Sequence, residues 1–194
     1  MDEWMVGDRT WMPIYADSCR ALGGNAGIAT AEGPGSNCSG MSEYRFETEL
    51  WVPRSRAEVF AFFADARNLE ALTPAWLKFE ILTPAPIEMR PGALIDYRIT
   101  VRGLPLRWRT EITRWDPPHE FVDVQLRGPY TLWHHTHRFE ESEGGTRCWD
   151  EVRYRPRGGA LMHWLFVRRD VERIFQYRQQ RLRELFGDRA GPGP

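Results

Sequence analysis

From position 44 onward apolar and polar residues alternate. Phe46, Thr48, Leu50 and Val52 fall on one side, Arg45, Glu47, Glu49 and Trp51 on the other, the period of a half-buried strand. Pro53 ends that run. Ser55 followed three residues later by Glu58 spells a capping box, so a short helix is predicted with Val59, Phe60 and Phe63 as its apolar side. Asp65 begins a second short helix through Leu72, closed by Thr73-Pro74. Strand-like runs follow at 77–82, 94–101, 106–115, 121–126, 130–139 and 146–154, separated by Pro- and Gly-rich turns. Short connections of this kind join antiparallel neighbours.

After Gly158-Gly159 the period changes from two to 3.6. Leu161, Trp164, Leu165, Val171, Ile174, Phe175, Leu182 and Leu185 are expected along one face of a long helix ending near 186. Arg168, Arg169, Arg173, Arg181 and Arg183 are expected on the other. One strand, two short helices, six strands and a long helix make an α+β domain over 43–187, a curved seven-stranded antiparallel sheet wrapped around its C-terminal helix. A sheet so curved encloses more space than side chains fill, so a cavity is expected. Residues 1–42 hold Trp4, Trp11, Met12, Ile14 and Tyr15 but no sustained period, and are expected to be a disordered extension. Met41 is then a candidate alternative start, and 188–194 a disordered tail.

Composition narrows the function classes. A net charge of −1 excludes a binder that works by neutralising phosphates, so no nucleic-acid partner is expected. Cys19, Cys38 and Cys148 form neither a disulfide framework nor a spaced metal site. The chain has no apolar run of membrane-span length, and its Met-Asp-Glu start lacks the features of a signal peptide, so a cytoplasmic protein is expected. Asp170, Glu172 and Glu184 interrupt the arginine face, which limits any membrane contact to a transient one. Nine Trp in a chain that is 13% aromatic must be buried or line something.

Candidate chemistry concentrates in 133–139. Trp133, His135, His137 and Phe139 share one strand face, and Cys148, Asp150, Val152 and Tyr154 share a face of the next strand. His137 then neighbours Cys148 or Asp150 across the pair. A His137–Asp150 pair either satisfies itself within the sheet or meets a ligand, and in an enzyme it would move protons. His135-x-His137 has metal-ligand spacing, which Cys148 or Asp150 could complete, but the two histidines alone are too few for a closed site, so neither metal nor cofactor is expected. Tyr97 and Trp108, large and amphipathic, are the pocket candidates of the two preceding strands. In 121–126 the alternation taken alone turns Val122, Val124 and Leu126 inward and Phe121, Asp123 and Gln125 outward.

Asn68-Leu69 with Thr73-Pro74, Gly103-Leu104-Pro105 with Trp108, the run from Phe121 to Gln125, Gly128-Pro129-Tyr130, the run from Trp133 to Phe139, and Gly145-Thr146 with Asp150 together resemble the START-related, helix-grip superfamily. The likeness is strongest to bacterial cyclase/dehydrase-type proteins. It implies an internal cavity for a hydrophobic small molecule such as a lipid, quinone or polyketide-like aromatic. It also turns Phe121, Asp123 and Gln125 inward, which a bulge at Gly128-Pro129 would reconcile with the alternation. Two other classes remain open: a cyclase or dehydratase using His137 and Asp150, and a structural or regulatory module with a collapsed cavity.

Overall fold

The computed structural model describes residues 42–187; the expectations for 1–41 and 188–194, Cys19 and Cys38 among them, lie outside the described residues. Strand β1 (Tyr44–Val52) leads into α1 (Arg56–Ala64) and α2 (Asn68–Ala71). Ser55 caps α1 by accepting a hydrogen bond from the Glu58 amide. A 3₁₀ turn (Ala75–Leu77) precedes β2 (Glu80–Ile81), so the run expected at 77–82 is a strand for only two residues. Then come β3 (Leu94–Val101), β4 (Leu104–Asp116), β5 (Glu120–Arg127), β6 (Tyr130–Ser142) and β7 (Gly145–Pro156). The sheet has seven strands in the order β1-β7-β6-β5-β4-β3-β2, all antiparallel.

The C-terminal helix is not one uniform coil. A short α3 (Gly159–Met162) passes through a π-helical turn (His163–Val167) into α4 (Arg168–Phe186). A π turn carries an extra residue and rotates everything before it relative to everything after it. The single apolar face expected along the helix therefore does not exist. Leu161, Trp164 and Leu165 are exposed, and at the far end Leu185 is exposed while Phe186 is buried. The stripe that α4 buries is Val171, Phe175, Arg178, Leu182 and Phe186, with Gln179 beside it. Gln179 donates to the Thr48 hydroxyl and the Glu49 carbonyl, tying the helix to β1.

The core is divided by these contacts. Leu182 and Phe186 pack with Leu50, Val52, Val59 and Phe60 at one end. Val171 and Phe175 pack with Val152 and Tyr154 at the other. A third cluster of Ala66, Ala93, Ile95 and Ile112 lies toward β3 and β4. No helix among the described residues is long and apolar enough to cross a membrane.

Candidate functional site

Between these clusters lies a cavity of about 610 Å³. Phe63 and Leu72 contribute from the short helices, Ile95, Tyr97 and Ile99 from β3, and Val171, Ile174 and Phe175 from α4. Trp108, Thr110 and Ile112 line it from β4, Phe121 and Asp123 from β5, and Trp133, His135 and His137 from β6. The Tyr97 and Trp108 rings stack at 5.7 Å, and Trp133 meets Trp108 edge-on at 5.4 Å. The Tyr97 hydroxyl and the Trp108 indole N–H both reach the Thr110 hydroxyl at 3.1 Å, so neither aromatic leaves its polar atom unmatched. Burial pushes the Tyr97 phenol well above its ordinary range, and the Asp123 charge adds to it.

The inward placement of Phe121 and Asp123 has a local cause. A bulge in β4 at Thr113 lets Ile112 and Trp115 both face inward, opposite Asp123 and Phe121. Val122, partnered with Arg114, turns to the other face, and Leu126 is exposed. The irregularities nearest Gly128-Pro129 flank it, one at Leu126 where β5 meets β4 and one between Tyr130 and Leu132 where β6 meets β7. Gln125 is absent from the cavity wall. Its amide donates to the Tyr130 carbonyl at 2.8 Å and accepts from the Tyr130 amide at 3.3 Å, so it clamps the β5–β6 turn. Asp150 is not a wall residue either; it lies behind the two histidines, 8% exposed.

His135 and His137, 5% and 3% exposed, sit between two carboxylates. His135 Nε2 hydrogen-bonds Asp150 Oδ1 at 3.1 Å, and its Nδ1 stands 3.5 Å from Asp123 Oδ2. His137 Nε2 hydrogen-bonds Asp123 Oδ2 at 3.0 Å. His137 Nδ1 lies only 2.7 Å from Asp150 Oδ1 but off the line a hydrogen bond requires, so this buried nitrogen has a close neighbour and no hydrogen-bond partner. The His137–Asp150 pairing is the strand register itself.

Burial holds the His135 imidazole down at about 4, with the neighbouring His137 adding to the effect against Asp123 and Asp150. Burial works to raise both carboxyls, yet Asp123 stays below its ordinary value through His135 and His137. Asp150 stays well below through Arg178 and the same two rings. Arg178 is the residue that the sequence reading missed. It is 8% exposed, lines the cavity from α4, and stands over the Phe63 and Phe175 rings. The signal was present: position 178 falls on the stripe of Val171, Phe175 and Leu182, where an arginine is out of pattern. The arrangement is a mainly apolar chamber in which Asp123, His135 and His137 form a buried polar cluster, with Asp65, Arg102, Arg157, Asp170 and Arg173 also in its lining. The cluster is able to orient, or exchange a proton with, an oxygen atom of an occupant.

Residues 52–183 match the family model described as polyketide cyclase / dehydrase and lipid transport. No match was found among curated proteins. Solved structures that share the fold include three of low identity. Protein Ms6760 from Mycobacterium smegmatis is 20% identical, with a TM-score of 0.55, over 75% of this chain and 90% of that one. Ara h 8.0201 is 17% identical, with a TM-score of 0.54, over 75% and 98%. The major latex-like protein 151 from Panax ginseng is 8% identical, with a TM-score of 0.57, over 76% and 99%.

Proposed function

Because this chain belongs to the polyketide cyclase / dehydrase and lipid transport family, we propose that it binds, noncovalently, an amphipathic small molecule with an apolar and largely aromatic body and one oxygen-bearing end. The observation that carries this reading is the grading of the cavity. Apolar and aromatic side chains make most of its wall, and Asp123, His135 and His137 are gathered at one place in it. Its volume of about 610 Å³ sits inside the roughly 300–1,000 Å³ usual for small-molecule sites. In that setting burial of the body supplies most of the affinity, while the polar cluster and Tyr97 fix orientation.

The test is direct. Native mass spectrometry of the purified protein, followed by release and identification of any bound molecule, should return a hydrophobic compound of this class. A fluorescent anilinonaphthalene sulfonate dye gives an independent measurement of cavity occupancy. Trp108→Ala should weaken dye binding more than His137→Gln does. If both variants bind the dye and the released compound as the parent does, the cavity is not the binding site.

A second reading has an observation of its own in the histidines that bridge two carboxylates at the cavity wall. In a cyclase or dehydratase they would relay a proton to and from the bound molecule. His137→Gln would then leave binding nearly unchanged and lower turnover by about a hundredfold or more.

A further inference from the structure

The His–Asp cluster has a hydrogen-bonding defect. A neutral imidazole carries one N–H, and here each ring meets a carboxylate oxygen at both of its nitrogens. The contacts with hydrogen-bond geometry are His135 Nε2 on Asp150 and His137 Nε2 on Asp123, and a neutral ring that donates there has no proton at Nδ1. That leaves His135 Nδ1 facing Asp123 Oδ2 and His137 Nδ1 facing Asp150 Oδ1, lone pair against lone pair. His137 Nδ1 is a buried nitrogen without a hydrogen bond on a side chain only 4% exposed. Such a defect is costly unless something positive fills it.

We infer that Asp123, His135 and His137 form a binding site for a single divalent transition-metal ion of the zinc class, with Asp150 as the carboxylate that orients both imidazoles. The ligand atoms of these three residues lie within 4.8 Å of one another. His135 Nδ1 and His137 Nε2 stand 3.5 and 3.0 Å from Asp123 Oδ2. Bonds of about 2.0–2.2 Å arranged tetrahedrally place ligand atoms roughly 3.3 Å apart, so small side-chain adjustments admit the ion. With the ion in place the proton of His137 moves to Nδ1, where a slight ring rotation makes it a donor to Asp150. His135 already donates to Asp150 through Nε2. Both rings then turn an N–H to one buried carboxylate and a lone pair to the metal, the usual outer support of a histidine ligand. Every nitrogen of the cluster is satisfied.

The strand spacing alone offered two ligands. The third comes from β5, whose register places Asp123 opposite His135. All three ligands line the cavity whereas Asp150 does not, so the open coordination position faces the chamber. This inference extends the ligand-binding reading: the ion would take an oxygen of the bound molecule, and the excess positive charge from ion and Arg178 over the two carboxylates favours an acidic one, such as a phenol, enol or carboxylate.

Zinc or cobalt(II) alone is the probe, so the outcome does not depend on the organic ligand being known. Full-length protein stripped with a chelator should bind one equivalent of zinc by calorimetry, and cobalt(II) should develop the visible bands of a low-symmetry site. Asp123→Asn and His135→Gln should each weaken zinc at least a hundredfold, and Asp150→Asn by about 10–100-fold. Failure of the wild-type protein to bind zinc more tightly than a His135→Gln/His137→Gln double variant overturns the site. Because such variants can lose stability, the histidine ring nitrogens of the wild-type protein are followed by NMR as well. Zinc must shift His135 and His137; a response confined to His119, His134 or His163 also overturns it. If the parent protein takes up the dye but no zinc, the metal site fails while the carrier reading stands, because burial of the apolar body supplies most of the affinity; if it takes up neither, the carrier reading fails too.

Discussion

Cys148 and Arg178 show how one buried side chain takes its chemistry from its neighbours. The Cys148 thiol is pushed up to about 12, by burial first and then by the Asp150 charge. It should resist alkylation in the folded protein at neutral pH, which peptide mapping after brief iodoacetamide treatment would check at this residue. Rapid labelling would mean that β7 opens readily. Arg178 is the counter-charge whose field holds Asp150 ionised. Replacing it with Met removes a costly buried cation but leaves the carboxylates of Asp123 and Asp150 without its field, and the second effect should win. A loss of about 1–3 kcal/mol is expected in urea unfolding. An unchanged midpoint would show that Asp150 does not depend on Arg178.

Elements make a different set of demands. At the start of β7, a Cβ on Gly145 would run into the Val52 carbonyl and the Trp51 ring, both belonging to β1. Because the main obstacle is backbone, it cannot swing aside. Gly145→Ala should cost about 1–3 kcal/mol through forced separation of β1 and β7. His163, in the π turn, donates to or accepts from the Tyr154 hydroxyl at 3.1 Å and stacks on Tyr44. Burial lowers its pKa, the Arg168 charge lowers it further, and Glu172 opposes both. In the unfolded chain the same ring takes up its proton at about 6.5. The unfolded state thus binds more protons just below that value. This contribution to stability is whole above about pH 6.5 and is lost as pH falls toward the lowered folded value. Melting curves of the parent should drop more steeply below pH 6.5 than those of His163→Gln; parallel curves would remove His163 from the acid response.

How much could be read in advance also varies by element. The strands were legible because a period of two survives wherever one face is buried, and Ser55 marked the start of α1. The long helix was located correctly but its buried face was misread, since a uniform 3.6 period cannot anticipate the extra residue of the π turn at 163–167. In β5 alternation alone chose the wrong face. The information was in β4, where the bulge at Thr113 resets which residues look inward. Gln125 was expected in the cavity because the family resemblance turns it inward with Phe121 and Asp123, whereas a turn with two unmatched backbone groups claimed its amide. The cluster itself was half legible: the 135–137 spacing and the neighbouring strand pointed to His and Asp, but bringing Asp123 beside both rings required the β5–β6 register.

At the scale of the whole domain, the cavity leaves wall atoms of β3, β4 and α4 without partners, and a void of this kind forfeits dispersion energy that an occupant restores. A ligand held at a hundred times its dissociation constant should add about 2.7 kcal/mol to stability. For a domain of this size that is a rise of roughly 5–10 °C in melting temperature. Ile174 lines the chamber from α4 while remaining partly exposed, so a larger side chain there can enter the void without breaking the buried stripe of Val171, Phe175 and Arg178. Ile174→Trp should therefore melt within a few degrees of the parent when both are stripped of ligand, because new contacts offset some crowding. The same variant should lose at least tenfold in affinity for the anilinonaphthalene sulfonate dye and show little of the ligand-induced rise. Two results would count against a carrier. A variant that still takes up the dye with parental affinity would place binding elsewhere on the molecule, and a parent whose melting temperature ignores its own co-purified compound would make the cavity incidental to function.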